Sequence, residues 1–229
     1  MTNATPAVHE PAVPTPAART EAARYALLRR LAPSMRHHLV VNLQPIGMIY
    51  EVMDRRLRAP SPDLASIHDS AHKINGFARA ALDSCLDVVT WLAPDQSATT
   101  PVVEGVRECV GLLATSLGFR GYAIRNEVAA VPGEVWRAAM RNVLTAALLH
   151  ATDRSPPPAE LVLTASPEMD GLRLALALRS TEGNQGCANE AGYRKLDWPD
   201  VQALAEAEAV QVERDGQTLQ MLIPWAASR

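Results

Sequence analysis

Apolar residues recur at every third or fourth position along two stretches in the first half of the chain. This spacing places side chains on one face of a helix. It predicts a first helix from about Glu21 to Arg58 and a second that starts with Ser61 as N-cap and Pro62. The first apolar face contains Leu28, Ala32, Met35, Leu39, Leu43, Ile46, Tyr50, Met53 and Leu57, and the second contains Leu64, Ile67, Ala71, Ile74, Ala78, Ala81, Cys85, Val88 and Leu92.

The short turn between these helices predicts a long antiparallel hairpin. A single hairpin cannot bury both of its apolar faces, so it needs a second pair of helices. We therefore predict a homodimer in which two hairpins form a four-helix bundle.

The pattern changes after Pro94, where residues 95–100 are mostly polar and predict a linker. Predicted helices then cover residues 101–117, 133–152 and 199–209, and predicted strands cover 122–128, 161–166, 172–179, 210–214 and 218–224. This order predicts an α+β protein, with a helical hairpin over 19–94 and a two-layer α/β sandwich over 95–229. The proline-rich composition of residues 1–18 predicts a disordered tail.

Composition excludes several classes of function. A net charge of −3 over 229 residues provides no basic surface for nucleic acid. There is neither an apolar run of about 20 residues nor a secretory signal pattern, so we expect a cytoplasmic protein without a membrane partner. Three dispersed cysteines, Cys85, Cys109 and Cys187, are too few for a disulfide framework and are expected to be reduced and buried.

His37 lies outside the apolar face of the first helix. At about 100° per residue it sits roughly 200° from Met35, next to Val40, Val41 and Gln44. A titratable imidazole beside solvent-facing valines predicts a docking surface for a partner, although the valines are equally compatible with packing against the second half of the chain.

The hairpin itself suggests neighbours for this histidine. Pairing the helices about their turn brings position 37 level with about position 84. Asp83, Ser84 and Asp87 are therefore the predicted nearest residues of the second helix and candidates for orienting His37 or contacting its partner.

Four other histidines are less favoured as functional residues. His38 is predicted at the edge of the apolar face, beside the dimer seam, and is kept as an alternative to His37. His68 and His72 are spaced to chelate a metal, but no third ligand is near in the sequence. His150 is predicted to cap the end of its helix.

The run from His37 to Ile46 resembles the phosphoacceptor motif of one subgroup of two-component sensor histidine kinases, in which a histidine precedes an Asn-Leu-Gln-x-Ile segment. The resemblance spans about residues 22–225 and implies that His37 accepts phosphate. His38 stands where these kinases usually carry a carboxamide, acidic or basic residue, so the acidic group that helps histidine attack ATP is missing.

The second half departs from the family at each nucleotide-binding position. Ala146 stands where the resemblance places a magnesium-binding asparagine, and an alanine cannot hold the metal. Residues 179–184 lack the expected adenine-binding aspartate, and bulky residues from Lys195 to Trp198 replace a glycine-rich phosphate loop. Residues 217–224 still resemble the last strand. The family fold is thus expected without ATP binding and without a cofactor in this chain.

These features are similar to those of dimeric, kinase-like histidine phosphotransferases with degenerate second domains. They imply a protein that relays phosphoryl groups between response-regulator receiver domains, with Mg²⁺ held by the receiver. Two alternatives remain open: a pseudokinase that binds receivers or kinases without carrying phosphate, and an active sensor kinase with an unorthodox nucleotide pocket.

Overall fold

Two long antiparallel helices form the first part of the computed structural model, which describes residues 15–187 and 193–226. Helix α1 spans Pro16–Leu57 and helix α2 spans Leu64–Leu92. Helix α1 begins about five residues earlier than predicted because the Thr15 hydroxyl accepts a hydrogen bond from the Ala18 amide. Residues 16–18 of the predicted tail are therefore helical, and residues 1–14 lie outside the described part.

The N-cap of α2 also differs from the prediction. The carboxylate of Asp63, and not the hydroxyl of Ser61, caps this helix by accepting a hydrogen bond from the Ala65 amide at 3.0 Å. Asp63 is as good a cap as serine, and it lies directly before the first helical residue.

A five-stranded sheet and its helices form the second part. The strands are β2 (Tyr122–Asn126), β4 (Ala159–Pro167), β5 (Gly171–Ser180), β6 (Gln211–Asp215) and β7 (Thr218–Pro224). Their order is β2-β4-β5-β7-β6, in which only β2 and β4 are parallel. All five strands were predicted. The short ladder between β1 (Thr99–Pro101) and β3 (Glu134–Trp136) was not, because three residues show no periodicity.

The helices of this part are α3 (Val102–Phe119), α4 (Arg137–Ala139), α5 (Thr145–Arg154) and α6 (Trp198–Ala207). A π-helical turn, Met140–Leu144, connects α4 to α5. The predicted helix over 133–152 is therefore a strand followed by three helical segments. Alternate residues of β5 and β7, such as Leu174 and Met221, point into a core shared with these helices. The predicted α+β class is confirmed.

Helix α1 contributes to both parts of the molecule. Ala23, Ala26, Leu27 and Leu31 in its first half are almost completely buried in the core that contains α6. The Thr20 hydroxyl donates to the Ala203 carbonyl oxygen of α6 at 3.3 Å. The second half pairs with α2 and leaves several apolar side chains exposed: Val40, Val41, Leu43, Met48, Tyr50, Val52 and Leu57. A boundary at residue 94 remains a prediction, since α1 does not belong to one part alone.

The cysteines only partly follow the prediction. Cys109 is buried, and burial raises the pKa of its thiol well above the usual range. Cys85 and Cys187 are exposed, so the prediction of burial was wrong for both. Cys85 was placed in a buried seam by its spacing, but it lies on a face of α2 that a single chain leaves uncovered.

Candidate functional site

His37 lies in the second half of α1 with its side chain exposed. Its ring centroid is 6.3 Å from that of His38, with an angle of 52° between the ring planes. Val40 and Val41 are 46% and 51% exposed, and Gln44 is exposed as well. The helix thus brings together the four residues that periodicity placed on one outward face.

Helix α3 supplies a second wall to this site. His37, Val40, Pro33 and Ser34 line one side of a groove of about 340 Å³, and α3 lines the other with Leu112, Thr115, Ser116 and Phe119. Phe119 at the end of α3 is 70% exposed. Sequence reasoning missed this wall because the packing of α3 on α1 depends on tertiary contacts. The one feature of the sequence that points to this wall is a large apolar residue, Phe119, at the end of the helix.

His38 occupies a different environment. It is half-buried and lines both this groove and a neighbouring cavity of about 460 Å³ with Asp87, Trp91 and Glu108. Its backbone carbonyl accepts a hydrogen bond from the Asn42 side chain at 3.2 Å. His38 therefore lies beside α3, and its predicted place at a dimer seam stays a prediction.

The register of the hairpin differs from the prediction. The Asn42 amide donates to the Ser84 hydroxyl at 3.0 Å, so Ser84 is level with Asn42 and not with His37. Asp87 instead accepts a hydrogen bond from Arg141 at 2.7 Å, and Asp83 is exposed. At Asn42 the contact differs by about five positions from symmetric pairing about the turn, whereas nearer the turn Arg56 donates to the Ser66 hydroxyl, close to the predicted pairing. A role for these three residues in partner binding stays a prediction.

The loop before α6 stands where the resemblance places a phosphate loop, and beside it Asp153, Arg194 and Lys195 line a cavity of about 860 Å³. Ala146 is fully buried in the core. The Leu196 amide, in the loop that replaces the expected phosphate loop, donates to the Asp153 carboxylate at 3.1 Å. Arg30 of α1 binds the same carboxylate through two hydrogen bonds of 2.6 and 2.8 Å. This loop is therefore tied to α5 and α1 by a buried carboxylate.

The N-terminus of α6 carries acidic side chains where phosphates would have to bind. The Asp200 amide donates to the Asp197 carboxylate at 3.1 Å, and the Asp197 amide donates to Asp200 at 3.0 Å. Arg194 binds Asp200 through two further hydrogen bonds. A phosphate would have to displace these carboxylates from amides that they already occupy. The absence of ATP and magnesium binding remains a prediction.

His150 was predicted to cap the end of its helix, but its side chain is buried. It is 1% exposed, and its Nδ1 lies 3.0 Å from the Leu196 carbonyl oxygen, which can only accept a hydrogen bond. Nδ1 therefore carries the proton. Burial lowers the pKa of this imidazole, and the cations of Arg154 and Arg214 lower it further.

This lowered pKa predicts a loss of stability in acid. Below the ordinary imidazole pKa of about 6.5 the unfolded chain binds a proton that the folded state resists, so the free energy of unfolding falls as the pH drops below this value. The slope is at most about 1.4 kcal/mol per pH unit. Chemical denaturation between pH 7.5 and 5 should show a shallower dependence for His150→Asn than for wild type. The exposed control His72→Asn should keep the wild-type slope, and equal slopes for all three proteins would contradict the assignment.

The described residues contain no group of three histidine, cysteine or acidic side chains that could hold a metal ion. His68 and His72 are both exposed on α2. Within residues 15–187 and 193–226 no helix is both long and apolar enough to cross a bilayer.

Comparison with known proteins finds similarity at the level of structure alone. No family model matches the chain, and no curated protein matches it significantly. A histidine kinase from Burkholderia phymatum is 17% identical, with 94% of this chain and 99% of that chain covered and a TM-score of 0.42. A bacterial phosphotransferase is 14% identical, with coverages of 86% and 95% and a TM-score of 0.38.

A third similar structure is the histidine kinase ThkA in complex with the response regulator protein TrrA. It is 12% identical, with 96% of this chain and 70% of that chain covered and a TM-score of 0.42. The similar structures thus include members of the kinase family that the sequence motifs resemble. With identities below 25% and TM-scores below 0.5, these similarities do not assign an activity.

Proposed function

We propose that this chain is a histidine phosphotransferase that passes phosphoryl groups between response-regulator receiver domains through His37. One observation carries the proposal. An exposed imidazole borders a groove between α1 and α3 and is accompanied by the exposed apolar residues Val40, Val41 and Phe119. A reactive side chain framed by exposed apolar surface suits a macromolecular donor, which needs contact area as well as a nucleophile.

The proposed step is a transfer between two carriers. An unprotonated ring nitrogen of His37 attacks the phosphorus of an aspartyl phosphate on the receiver. The nitrogen–phosphorus bond forms while the bond between phosphorus and the aspartyl oxygen breaks, and the receiver carboxylate leaves. The other ring nitrogen keeps its proton. Mg²⁺ held by the acidic pocket of the receiver would stabilise the negative charge of the transferring group, so this chain supplies position and exposure.

The hydrogen bonds at the start of α6 favour an aspartyl phosphate over ATP as the phosphate donor. The first amides of α6 are bound by Asp197 and Asp200, and the preceding loop is bound by Asp153. An acyl phosphate on a partner needs no nucleotide pocket here. The exposed thiols of Cys85 and Cys187 fit a reducing compartment, which supports action in the cytoplasm.

We also propose that the chain acts as a homodimer. Three exposed apolar residues of α2 follow closely after residues that face α1. Leu82 follows Ala81, Leu86 lies two positions after Ser84, and Val89 follows Val88. Leu43 and Tyr50 are likewise exposed one position beyond the α2-facing part of α1. In two antiparallel helices, the residue that comes one position after a contact residue points to the same side of the pair in both helices. This apolar side is what a second hairpin would cover.

A charged residue on this apolar side should greatly weaken the proposed dimer. In a twofold interface each residue is used twice, and losing a central apolar contact costs about 2 kcal/mol per copy, so Leu86→Glu should raise the dissociation constant roughly a thousandfold. Light scattering after size exclusion should give a dimer mass for wild type and a monomer mass for the variant. Met169→Glu, at an exposed apolar residue outside the hairpin, is the control and should remain dimeric. A monomeric wild-type protein would refute the dimer.

The transferase proposal is tested by offering the two phosphate sources separately. The purified chain is incubated with phosphorylated receiver domains in one series and with labelled ATP and Mg²⁺ in the other. We expect acid-labile label from receivers and none from ATP. Label from ATP would establish an active kinase, and receiver binding without label would establish a pseudokinase. Either result would overturn the proposal.

A further inference from the structure

Arg141 projects from the π-helical turn of the second part into the space between α2 and α3. It is 3% exposed. Its guanidinium donates to the Asp87 carboxylate at 2.7 Å, to the Thr90 hydroxyl at 2.8 Å and to the carboxylate of Glu108. It also lies 4.6 Å from the centre of the Trp91 ring. One buried cation thus joins α2, α3 and the helix that carries it.

Removing Arg141 would leave the repulsion between two neighbouring carboxylates uncompensated. Asp87 on α2 and Glu108 on α3 both approach the same guanidinium, so without it two carboxylates would face each other with no buried cation between them. Arg137 is the other cation close to Glu108, at 3.4 Å, but its side chain is 43% exposed and its effect is screened by water. Arg141 therefore fixes the distance between α2 and α3.

Helix α3, which Arg141 links to α2, also forms one wall of the groove that His37 borders. Asp87 and Glu108 line the cavity that also contains His38. One turn further along α3, Leu112 lines both this cavity and the groove that His37 borders. Phe119 also lines this groove. A shift of α3 away from the hairpin would widen the groove and separate Phe119 from the histidine.

We infer that Arg141 is a positioning residue for phosphoryl transfer at His37, holding α3 against the hairpin so that one partner contacts the imidazole and Phe119 together. This inference rests on the proposed function. Arg141 makes no contact with the reacting atoms. Its loss should impair transfer from a protein donor, which needs both contacts, and spare the reaction of the imidazole with a small phosphodonor, which needs neither.

The kinetic test compares two phosphodonors. For Arg141→Met, transfer from a phosphorylated receiver should fall about tenfold or more, while labelling by phosphoramidate should stay within about twofold of wild type. Arg141→Lys should fall in between, because a single ammonium cannot span both carboxylates and the indole ring. Arg125→Met removes an exposed arginine of β2 and should behave as wild type. Should Arg141→Met fold poorly, the double variant with Glu108→Gln removes the more buried unpaired charge and should show the same split.

A second measurement tests the geometry without any phosphotransfer. Spin labels are placed on exposed residues of α1 and α3, at Glu51→Cys and Ala114→Cys, in a Cys85→Ser, Cys187→Ser background in which Cys109 is buried. The distance between the two labels should become longer or more broadly distributed in Arg141→Met.

An unchanged distance distribution, or a folded variant with wild-type transfer from receivers, would overturn the inference. Equal loss of labelling from both donors would also overturn it, since Arg141 would then act on stability alone. A wild-type chain labelled by phosphoramidate but by no receiver would refute the proposed function, and the distance measurement would still decide the role of Arg141.

Discussion

Replacing His37 with alanine is expected to reduce phosphate transfer from a phosphorylated receiver to background. The methyl group offers no atom that can form a bond to phosphorus, and loss of a nucleophile costs at least about a hundredfold in rate. The side chain is exposed, so the variant should fold and bind its partner normally. The measurement is the time course of label on the chain, together with receiver binding by calorimetry.

The neighbouring histidine provides the matched control. His38 is half-buried between α1 and α3, and His38→Ala should keep most of the transfer. Label that persists on His37→Ala and disappears from His38→Ala would show that the assignment of the two imidazoles is reversed.

The second large effect is expected at Asp153. Its side chain is 1% exposed and accepts hydrogen bonds from Arg30, Arg120 and the Leu196 amide. Asp153→Ala leaves Arg30 buried without its partner, and breaking such a pair costs about 3–5 kcal/mol. Because Arg30 belongs to α1 and Leu196 precedes α6, the loss should loosen the first half of α1 from the second part of the molecule.

Urea denaturation measures this effect. Asp69→Ala removes an exposed carboxylate that pairs with Lys73 one turn away, and it should leave the free energy of unfolding nearly unchanged. A change below about 1 kcal/mol for Asp153→Ala would show that the buried pair does not hold α1 in place.

Periodicity predicted most of the fold because each long element buries one face. Strands β5 and β7 alternate clearly between more and less buried residues, and β7 has the predicted bounds, Thr218–Pro224. What could not be predicted depends on contacts between distant segments. No local signal marks the first half of α1 as part of the α6 core. Symmetric pairing about the turn agrees with the Arg56–Ser66 contact but differs by about five positions from the Asn42–Ser84 contact further along the hairpin.

In the candidate site, too, residues on one helix could be predicted together, whereas residues brought in by tertiary packing could not. His37, Val40, Val41 and Gln44 were predicted together because one helix carries all four. Phe119 and Arg141 were missed because α3 and the π-helical turn reach the hairpin only through tertiary packing. His150 was misassigned for a related reason. Its position at a helix end suggested exposure, whereas the loop before α6 folds over it.

The most direct measurement is mass-spectrometric mapping of the phosphorylated residue after the wild-type chain has been incubated at neutral pH with a phosphorylated receiver domain. The proposal predicts one phosphohistidine, at His37. A phosphate at His38, His68, His72 or His150, or a chain that stays unmodified while the receiver loses its phosphate only to water, would contradict it.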